Sequence, residues 1–257
     1  MEQVRQLVCQ ERKLLPRLGV RKLYYKLESR FRSLGIKLGR DKLFAWMKAF
    51  DLLISPKRRY VQTTMSKHHL RKYPNIVKGL EIKASEQVWV SDITYLKTRQ
   101  GTCYLNLVTD AFSRKIVGYA VAANMEAVTM SKALQMALQQ KQTDSRTIHH
   151  SDRGLQYCSN HYVSLATGRA MKMSMTQDSD PYENALAERM NRTLKEEFGL
   201  GNTLADLQQA ENLVKQAVAL YNNDRPHLSL QMNTPQMVHQ LQLKRVKKQN
   251  KVKVPAC

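Results

Sequence analysis

The sequence predicts an α/β protein in which a mixed five-stranded sheet is flanked by helices and preceded by a small helical module and a basic linker. Residues 14–53 carry apolar side chains at helical spacing, and residues 87–123 form three β-branched and aromatic runs separated by hairpin-length breaks. Residues 127–175 then alternate between helical and strand patterns. The predicted boundaries are 1–53 for the helical module, 54–84 for the linker, 85–243 for the sheet domain and 244–257 for a basic tail.

The first segment predicts two helices joined by a turn. Apolar residues recur at helical spacing from Leu23 to Phe31 and again from Leu43 to Met47, with the glycine-containing stretch "SLGIKLGRD" between them. This arrangement is typical of a helix-turn-helix with three bases on or beside its second helix, namely Arg40, Lys42 and Lys48. An ordinary helical hairpin with a solvated basic face is the alternative.

Positive charge is concentrated at the two ends of the chain. The formal net charge is +21. Residues 1–84 contain 21 Lys and Arg against 6 Asp and Glu, residues 85–243 contain 15 of each, and the tail contains six bases and no acid. Basic arms around a neutral body suit a polyanion, so nucleic acid is the expected partner, contacted also by Arg58 and Arg59 of the linker. Composition leaves open a ribosome-associated or merely basic protein.

Cysteine usage and hydropathy give no sign of secretion. Cys9, Cys103, Cys158 and Cys257 are far apart, which favours neither a zinc clip nor a disulfide framework. No stretch approaches the roughly 20 apolar residues of a membrane span. We therefore expect a protein of the reduced cytoplasm.

The three strand patterns at 87–98, 102–112 and 115–123 predict an antiparallel meander. A helix at 127–141, a strand at 146–150, a helix at 160–171 and a last strand at "KMSM" follow.

Asp92 lies on the same strand face as Val90 and Thr94, where an acid is costly to bury without a partner. Asp152 ends the fourth strand, and Gly154 suggests a sharp turn after it. Each acid alone is equally consistent with a strand-end carboxylate that accepts backbone hydrogen bonds.

A third acid lies on a helix after the turn-rich stretch 174–184. Leu186, Met190, Leu194 and Phe198 follow a four-residue step. A second row on this helix holds Glu188, Arg192 and Lys195, which is alternatively a solvated charged face with an i,i+4 ion pair.

Asp92, Asp152 and Glu188 together predict a site for two Mg²⁺ or Mn²⁺ ions. Magnesium prefers oxygen ligands, and two ions about 4 Å apart suit in-line displacement at phosphorus. His149 and His150 point to opposite strand faces, so at most one reaches this site, and a structural role is the preferred interpretation of His150.

The chain resembles the second-frame transposases of the IS3 family of bacterial insertion elements, which contain an integrase-type DDE catalytic core. The matching pieces are "VWVSDITYL", "LVTDAFSRKIVGYAV", "HHSDRGLQY", "DPYENALAERMNRTLKEEF" and "YNNDRPHLSLQMNTP". Thirty-five residues separate Asp152 from Glu188, and Lys195 follows Glu188 by seven places, both as in the family's signature. The stretch "LGVRKLYYKL" resembles the small DNA-binding module of the same family.

The resemblance implies an RNase H-like fold, with Asp92, Asp152 and Glu188 as catalytic metal ligands and Lys195 and Arg192 beside the scissile phosphates. It implies nicking of the element's ends and transfer of the freed 3′-hydroxyl to another phosphodiester. It further implies double-stranded DNA of the element ends and the target as partner, a homo-oligomer on that DNA at the bacterial nucleoid, and an upstream-frame helix-turn-helix protein as a possible partner. An inactive DNA-binding regulator and an RNase H-type nuclease are the alternatives. For "YNNDRPH" we expect a structural, helix-ending role.

Overall fold

The computed structural model describes residues 2–54, 68–177 and 184–252, with side chains described as far as Lys244. Arg58 and Arg59 lie outside these residues. Within the described ranges there are nine α-helices and five β-strands. The helices are α1 (Glu2–Leu14), α2 (Val20–Ser33), α3 (Arg40–Ala49), α4 (Ala127–Gln140), α5 (Leu155–Cys158), α6 (Asn160–Thr167), α7 (Ala185–Glu197), α8 (Leu207–Asn223) and α9 (Pro235–Val252). The strands are β1 (Val88–Thr98), β2 (Gly101–Asp110), β3 (Ile116–Ala122), β4 (Ile148–Ser151) and β5 (Lys172–Met175).

The N-terminal module contains the two predicted helices, α2 and α3, and an additional helix, α1. The buried residues of α2 are Leu23, Leu27 and Phe31, which lie on one face at helical spacing. The chain leaves α2 through Gly35, whose φ of 65° is the left-handed conformation that glycine adopts without a steric penalty. Helix α3 then starts at Arg40, as the sequence predicts.

The sheet has the strand order β3-β2-β1-β4-β5. Strands β1, β2 and β3 form the predicted antiparallel meander, while β4 is parallel to β1 and β5 is parallel to β4. The prediction of a mixed five-stranded sheet is confirmed. In this order β1 is central, and it pairs antiparallel with β2 on one side and parallel with β4 on the other.

The two sheet faces are covered by different helices. Helix α4 lies against β3, where a Cβ atom added to Gly118 would meet the Ala133 carbonyl oxygen at 2.0 Å. This position therefore requires glycine, because any side chain would push the helix away. Helices α7 and α8 contact β1, β2 and β3, with Met190, Leu194 and Val214 in the core. Asp92 is on β1, the strand that α7 contacts.

The motif "YNNDRPH" anchors the end of α8, as expected. Asn222 accepts a hydrogen bond from the Ile116 N–H and donates one to the Ile116 carbonyl, both at 2.9 Å. The guanidinium of Arg225 donates to both carboxylate oxygens of Glu197, at 2.7 and 2.5 Å. These contacts tie α8 to β3 and to the last turn of α7, the helix that carries Glu188.

Some boundaries differ from the predictions. The helix predicted at 160–171 ends at Thr167, and the short helix α5 precedes it. The predicted start of the basic tail at residue 244 falls inside α9, so the tail begins as a continuation of that helix. In the described part of the linker, residues 68–84 form no helix or strand.

Candidate active site

Asp92 and Asp152 are brought together by the parallel register of β1 and β4. Val90 pairs with His150 across these strands. Two residues further along each chain are Asp92 and Asp152, and side chains two residues apart lie on the same face of a strand. Since neighbouring strands are about 4.8 Å apart, the continued register places the two carboxylates side by side at this edge.

Glu188 approaches the same place from α7. It lies in the first turn of that helix, where the helix dipole favours negative charge, and its side chain is exposed. Two asparagines tie this end of α7 to β1. Asn184 donates to the Ser91 carbonyl at 3.1 Å, and Asn191 donates to the Asp92 carboxylate Oδ2 at 2.8 Å.

The three acids act on one another electrostatically. Burial, followed by the charges of Asp152 and Glu188, raises the pKa of Asp92 to about 7, although the hydrogen bond from Asn191 opposes the shift. Burial and the charge of Asp152 raise the pKa of Glu188, against the effect of Arg192. The site therefore holds negative charge that the described side chains compensate incompletely.

Two bases on α7 flank these acids. Lys195 Nζ donates to the Thr94 hydroxyl at 2.6 Å. Burial lowers the pKa of Lys195, and the nearby charge of Asp92 opposes this. Arg192 is exposed one turn after Glu188. Helix α7 thus carries Glu188, Arg192 and Lys195 in one row, as the spacing of these residues in the sequence predicts.

The two histidines of β4 are buried and bonded to hydroxyl groups. His149 Nε2 lies 2.9 Å from both the Ser91 and the Tyr162 hydroxyl oxygens, and burial together with the charge of His150 lowers the pKa of His149 to about 3. His150 Nδ1 lies 2.9 Å from the Ser174 hydroxyl oxygen. These partners support the structural interpretation of His150.

The turn after Asp152 differs in detail from the sequence prediction. Gly154 has a φ of −61°, which any residue can adopt, so it does not serve to permit a left-handed turn. Its N–H donates to Asp152 Oδ1 at 3.0 Å, and an added Cβ would also lie 3.0 Å from that oxygen. Glycine is favoured here because the backbone approaches the carboxylate closely.

The site offers the oxygen donors that hard divalent cations prefer. Among residues 2–54, 68–177 and 184–252, no three Asp, Glu, His or Cys side chains are close enough to hold a metal ion as they stand. The three carboxylates are nevertheless close enough to act on one another electrostatically, and the Asn191 Oδ1 is a buried oxygen without a hydrogen-bond partner in the described structure. A bound Mg²⁺ or Mn²⁺ would use these donors and would relieve the mutual repulsion of the acids.

Asn191 and Thr94 are site residues that the sequence analysis did not identify. A weak signal was present, because Asn191 lies one helical turn after Glu188, and Thr94 shares the strand face of Asp92. The bonds from Asn191 to Asp92 and from Lys195 to Thr94 nevertheless depend on how α7 packs on β1, which the sequence pattern does not specify.

The predicted DNA-contacting bases of the N-terminal module lie on the surface. Arg40, Lys42 and Lys48 are exposed, and Arg40 Nε lies 2.9 Å from a carboxylate oxygen of Asp41. Leu43 and Met47 are the buried residues of α3. DNA contact by these bases stays a prediction. In the described part of the chain no helix is long and apolar enough to cross a membrane.

Comparison with known proteins agrees with this architecture. Two family models, each described as "Integrase core domain", match residues 83–181 and 169–235. The chain is 34% identical over 207 residues to an uncharacterised 31 kDa protein of insertion element IS600 from Shigella sonnei, covering 80% of this chain and 76% of that protein. It is 30% identical over 173 residues to transposase InsF of insertion sequence IS3A from Escherichia coli strain K12, covering 67% and 60% respectively.

A solved structure also shares the fold. The integrase of the simian T-cell lymphotropic virus intasome, solved in complex with a PP2A regulatory subunit, aligns with a TM-score of 0.51 at 19% identity. The alignment covers 83% of this chain and 73% of that one. The sheet order, the match to the integrase core and the similarity to insertion-element proteins together show that the chain belongs to the IS3 family of transposases, DDE-type polynucleotidyl transferases with an RNase H-like catalytic core.

Proposed function

We propose that this transposase uses Asp92, Asp152 and Glu188 as its catalytic triad, to nick DNA at the ends of its element and to join the freed 3′-hydroxyl to another phosphodiester. One observation carries the proposal. Asp92 on β1, Asp152 after β4 and Glu188 on α7 interact electrostatically, and burial together with these charges raises the pKa values of Asp92 and Glu188. Acids that repel one another at a solvent-accessible edge are typical of a site completed by a cationic ligand.

Two Mg²⁺ or Mn²⁺ ions are the group that these three residues would hold. When bound, such a pair supplies activation of the attacking oxygen and stabilisation of the leaving oxygen at phosphorus. The chain itself orients the ligands. Asn191 fixes the Asp92 carboxylate, and the Gly154 N–H fixes one oxygen of Asp152.

Lys195 and Arg192 are proposed to contact the phosphates next to the cleaved bond. The Lys195 ammonium is already positioned by Thr94 on the face of Asp92, so little side-chain entropy is lost when a phosphate approaches. The exposed Arg192 guanidinium is suited to bidentate phosphate contact.

DNA binding outside the active site is assigned to the basic N-terminal half. In this proposal Arg40, Lys42 and Lys48 on α3 contact the element's ends, together with Arg58 and Arg59 of the linker. Two ends must be brought together for transposition, so a homo-oligomer on DNA in the bacterial cytoplasm is the proposed active form. The upstream-frame helix-turn-helix protein is a proposed partner for recognition of the ends.

The test uses the purified full chain and labelled DNA that carries the sequences flanking its coding region. With Mg²⁺ we expect single-strand nicks at the ends and joining of the new 3′-hydroxyl to a second DNA. Asp152→Asn should bind the same DNA with similar affinity while cleavage falls by several orders of magnitude. Asp144→Asn, the same change at an exposed acid, is the matched control and should cleave like the wild type.

The alternative functions give different results in this assay. A regulator without catalysis would shift the DNA on a gel without nicking it in Mg²⁺ or Mn²⁺. An RNase H-type nuclease would cut the RNA strand of a hybrid and would join no ends. Equal loss of binding and cleavage in Asp152→Asn would instead identify Asp152 as a structural residue.

A further inference from the structure

The inference concerns the strap, residues 68–77, which lies between the N-terminal module and the first strand of the core. Leu70 and Tyr73 pack against the hydrophobic cluster beneath β4 and β5. The Ile76 N–H donates to the Ser174 hydroxyl at 3.1 Å, and that hydroxyl in turn contacts His150. The sequence predicts this segment only as a basic linker, but in the structure it is attached to the catalytic core.

His68, at the start of the strap, contacts the backbone directly after Asp152. Its Nε2 lies 2.8 Å from the Arg153 carbonyl oxygen. A carbonyl oxygen only accepts hydrogen bonds, so the Nε2 atom must carry the proton. The ring is partly buried, and its Nδ1 has no hydrogen-bond partner in the described structure. One bond thus connects the imidazole to the peptide that follows the catalytic acid.

Three of the hydrogen bonds at the short turn around Asp152 bear on the position of its carboxylate. The Gly154 N–H donates to Asp152 Oδ1 at 3.0 Å, Arg153 Nε donates to the Thr176 carbonyl at 2.5 Å, and His68 holds the Arg153 carbonyl. The first bond sets the Asp152 carboxylate relative to its own turn. The other two set the turn relative to the sheet and to the strap.

We propose that His68 is a positioning residue for Asp152, so that seating of the strap on the core completes the geometry of the active site. This inference rests on the catalytic role of Asp152 proposed above. A misplacement of about 1 Å at a reacting centre can lower a rate by about 100-fold. Loss of the His68 bond frees the Arg153 peptide to rotate, and Asp152 moves with it. In this proposal the strap connects the proposed DNA-binding module at the N-terminus to the proposed active site.

The experiment compares His68→Ala, His68→Gln and His69→Ala in the full chain. His69 is the adjacent, exposed histidine and serves as the matched control. Glutamine carries an amide N–H near the position of the imidazole Nε2 and can donate to the same carbonyl. We expect His68→Ala to slow single-turnover cleavage about 10- to 100-fold with DNA affinity near that of the wild type. His68→Gln should restore most of the rate, and His69→Ala should be unaffected.

Hydrogen exchange provides a second readout that does not require activity. The Gly154 amide should exchange faster in His68→Ala than in the wild type and should regain protection in His68→Gln. The inference would be overturned if His68→Ala cleaved DNA and exchanged its Gly154 amide at the same rates as His69→Ala. It would also be overturned if His68→Ala and His68→Gln were equally defective and both had a lowered melting temperature. If the wild type cleaves no DNA but its Gly154 amide is protected from exchange, the result counts against the proposed function. The exchange test of His68 still applies in that case.

Discussion

Two pairs of acids at neighbouring parts of the same sheet differ in the hydrogen bonds and charges that surround their carboxylates. Asp110 and Glu86 are buried, and the protein supplies a donor for each of their carboxylate oxygens. Asp110 accepts from Glu86 N at 2.6 Å and from Ser113 N and Oγ, both at 2.7 Å, while Glu86 accepts from Gln142 N at 2.9 Å and Thr143 N at 2.8 Å. We call Asp110 and Glu86 the structural pair.

Asp92 and Asp152, by contrast, repel each other electrostatically, and this repulsion contributes to the raised pKa of Asp92. The Asn191 amide and the Ile93 N–H donate to the Asp92 carboxylate, while Asp152 and Glu188 add negative charge around it. His239 of α9 lies 3.9 Å from both acids of the structural pair, whereas Lys195, which interacts electrostatically with Asp92, donates its hydrogen bond to Thr94. The structural pair is thus held by several donors, whereas the pKa of Asp92 is raised to about 7 by burial and by the neighbouring acids.

The sharpest test of this comparison is Asp92→Asn, which we expect to lower cleavage by several orders of magnitude while raising stability. The neutral amide keeps the shape of the side chain and removes its repulsion with Asp152 and Glu188. Single-turnover cleavage and urea unfolding of the metal-free protein at about pH 7.5, just above the pKa of Asp92, would measure the two effects. A variant that loses both stability and activity would place Asp92 with the structural pair.

The pH dependence of stability should separate the two pairs in metal-free protein. The pKa of Asp92 is about 7 in the folded protein against an ordinary value of 3.8, so the folded state binds this proton more tightly than the unfolded state. The resulting stabilisation is present below about pH 4 and is lost as the pH rises to about 7. By linkage the loss amounts to about 2 to 4 kcal/mol, with a discount because part of the side chain reaches solvent.

Urea unfolding of the wild type and Asp92→Asn in EDTA, from about pH 4.5 to about pH 8, would measure this loss as a difference between the two proteins. The stability advantage of Asp92→Asn should grow across the range, and saturating Mg²⁺ should reduce it by stabilising the wild type. A constant difference at all pH values would mean that Asp92 titrates normally.

Asp110→Asn should have the opposite effect on stability, lowering it by about 2 to 4 kcal/mol. An amide NH₂ replaces one acceptor oxygen, so either Glu86 N or the Ser113 donors would face another donor inside the protein. The folded fraction should keep its cleavage rate, because Asp110 lies outside the site. Thermal unfolding and cleavage below the melting temperature would check both parts, with Asp144→Asn as the control. An unchanged melting temperature would show that the structural pair is not stabilising.

The sequence predicts the strands and the candidate catalytic acids, but it does not predict which residues contact those acids. The strands are predicted to within a few residues because their β-branched runs and turns are local signals, and Asp92 and Asp152 interrupt those runs. Helix α1 is not predicted. Its apolar stripe of Val4 and Val8 is continued by the buried Glu11, whose charge is balanced by Lys26 of α2 at 3.0 Å. The contacts of Asn191 and His68 are likewise tertiary, so residue spacing could not reveal them.

The smallest expected effect comes from Asn191→Leu, a change of similar size that removes a side-chain hydrogen-bond donor to Asp92. We expect cleavage to fall about 10- to 100-fold, as is typical when a residue that orients a metal ligand is lost. The pKa of Asp92 should rise further, because the hydrogen bond from Asn191 now lowers it. Half-maximal cleavage should accordingly require more Mg²⁺ than in the wild type.

Asn184→Leu is the matched control for this change, since Asn184 ties the same end of α7 to a backbone carbonyl of β1 instead of to an acid. If both variants lose activity and stability equally, Asn191 serves only to attach α7. If Asn191→Leu alone shifts the Mg²⁺ dependence at unchanged melting temperature, the amide acts through the Asp92 carboxylate. The Asn191 amide would then be a donor that orients the Asp92 carboxylate without offsetting the burial and the neighbouring acids that raise its pKa.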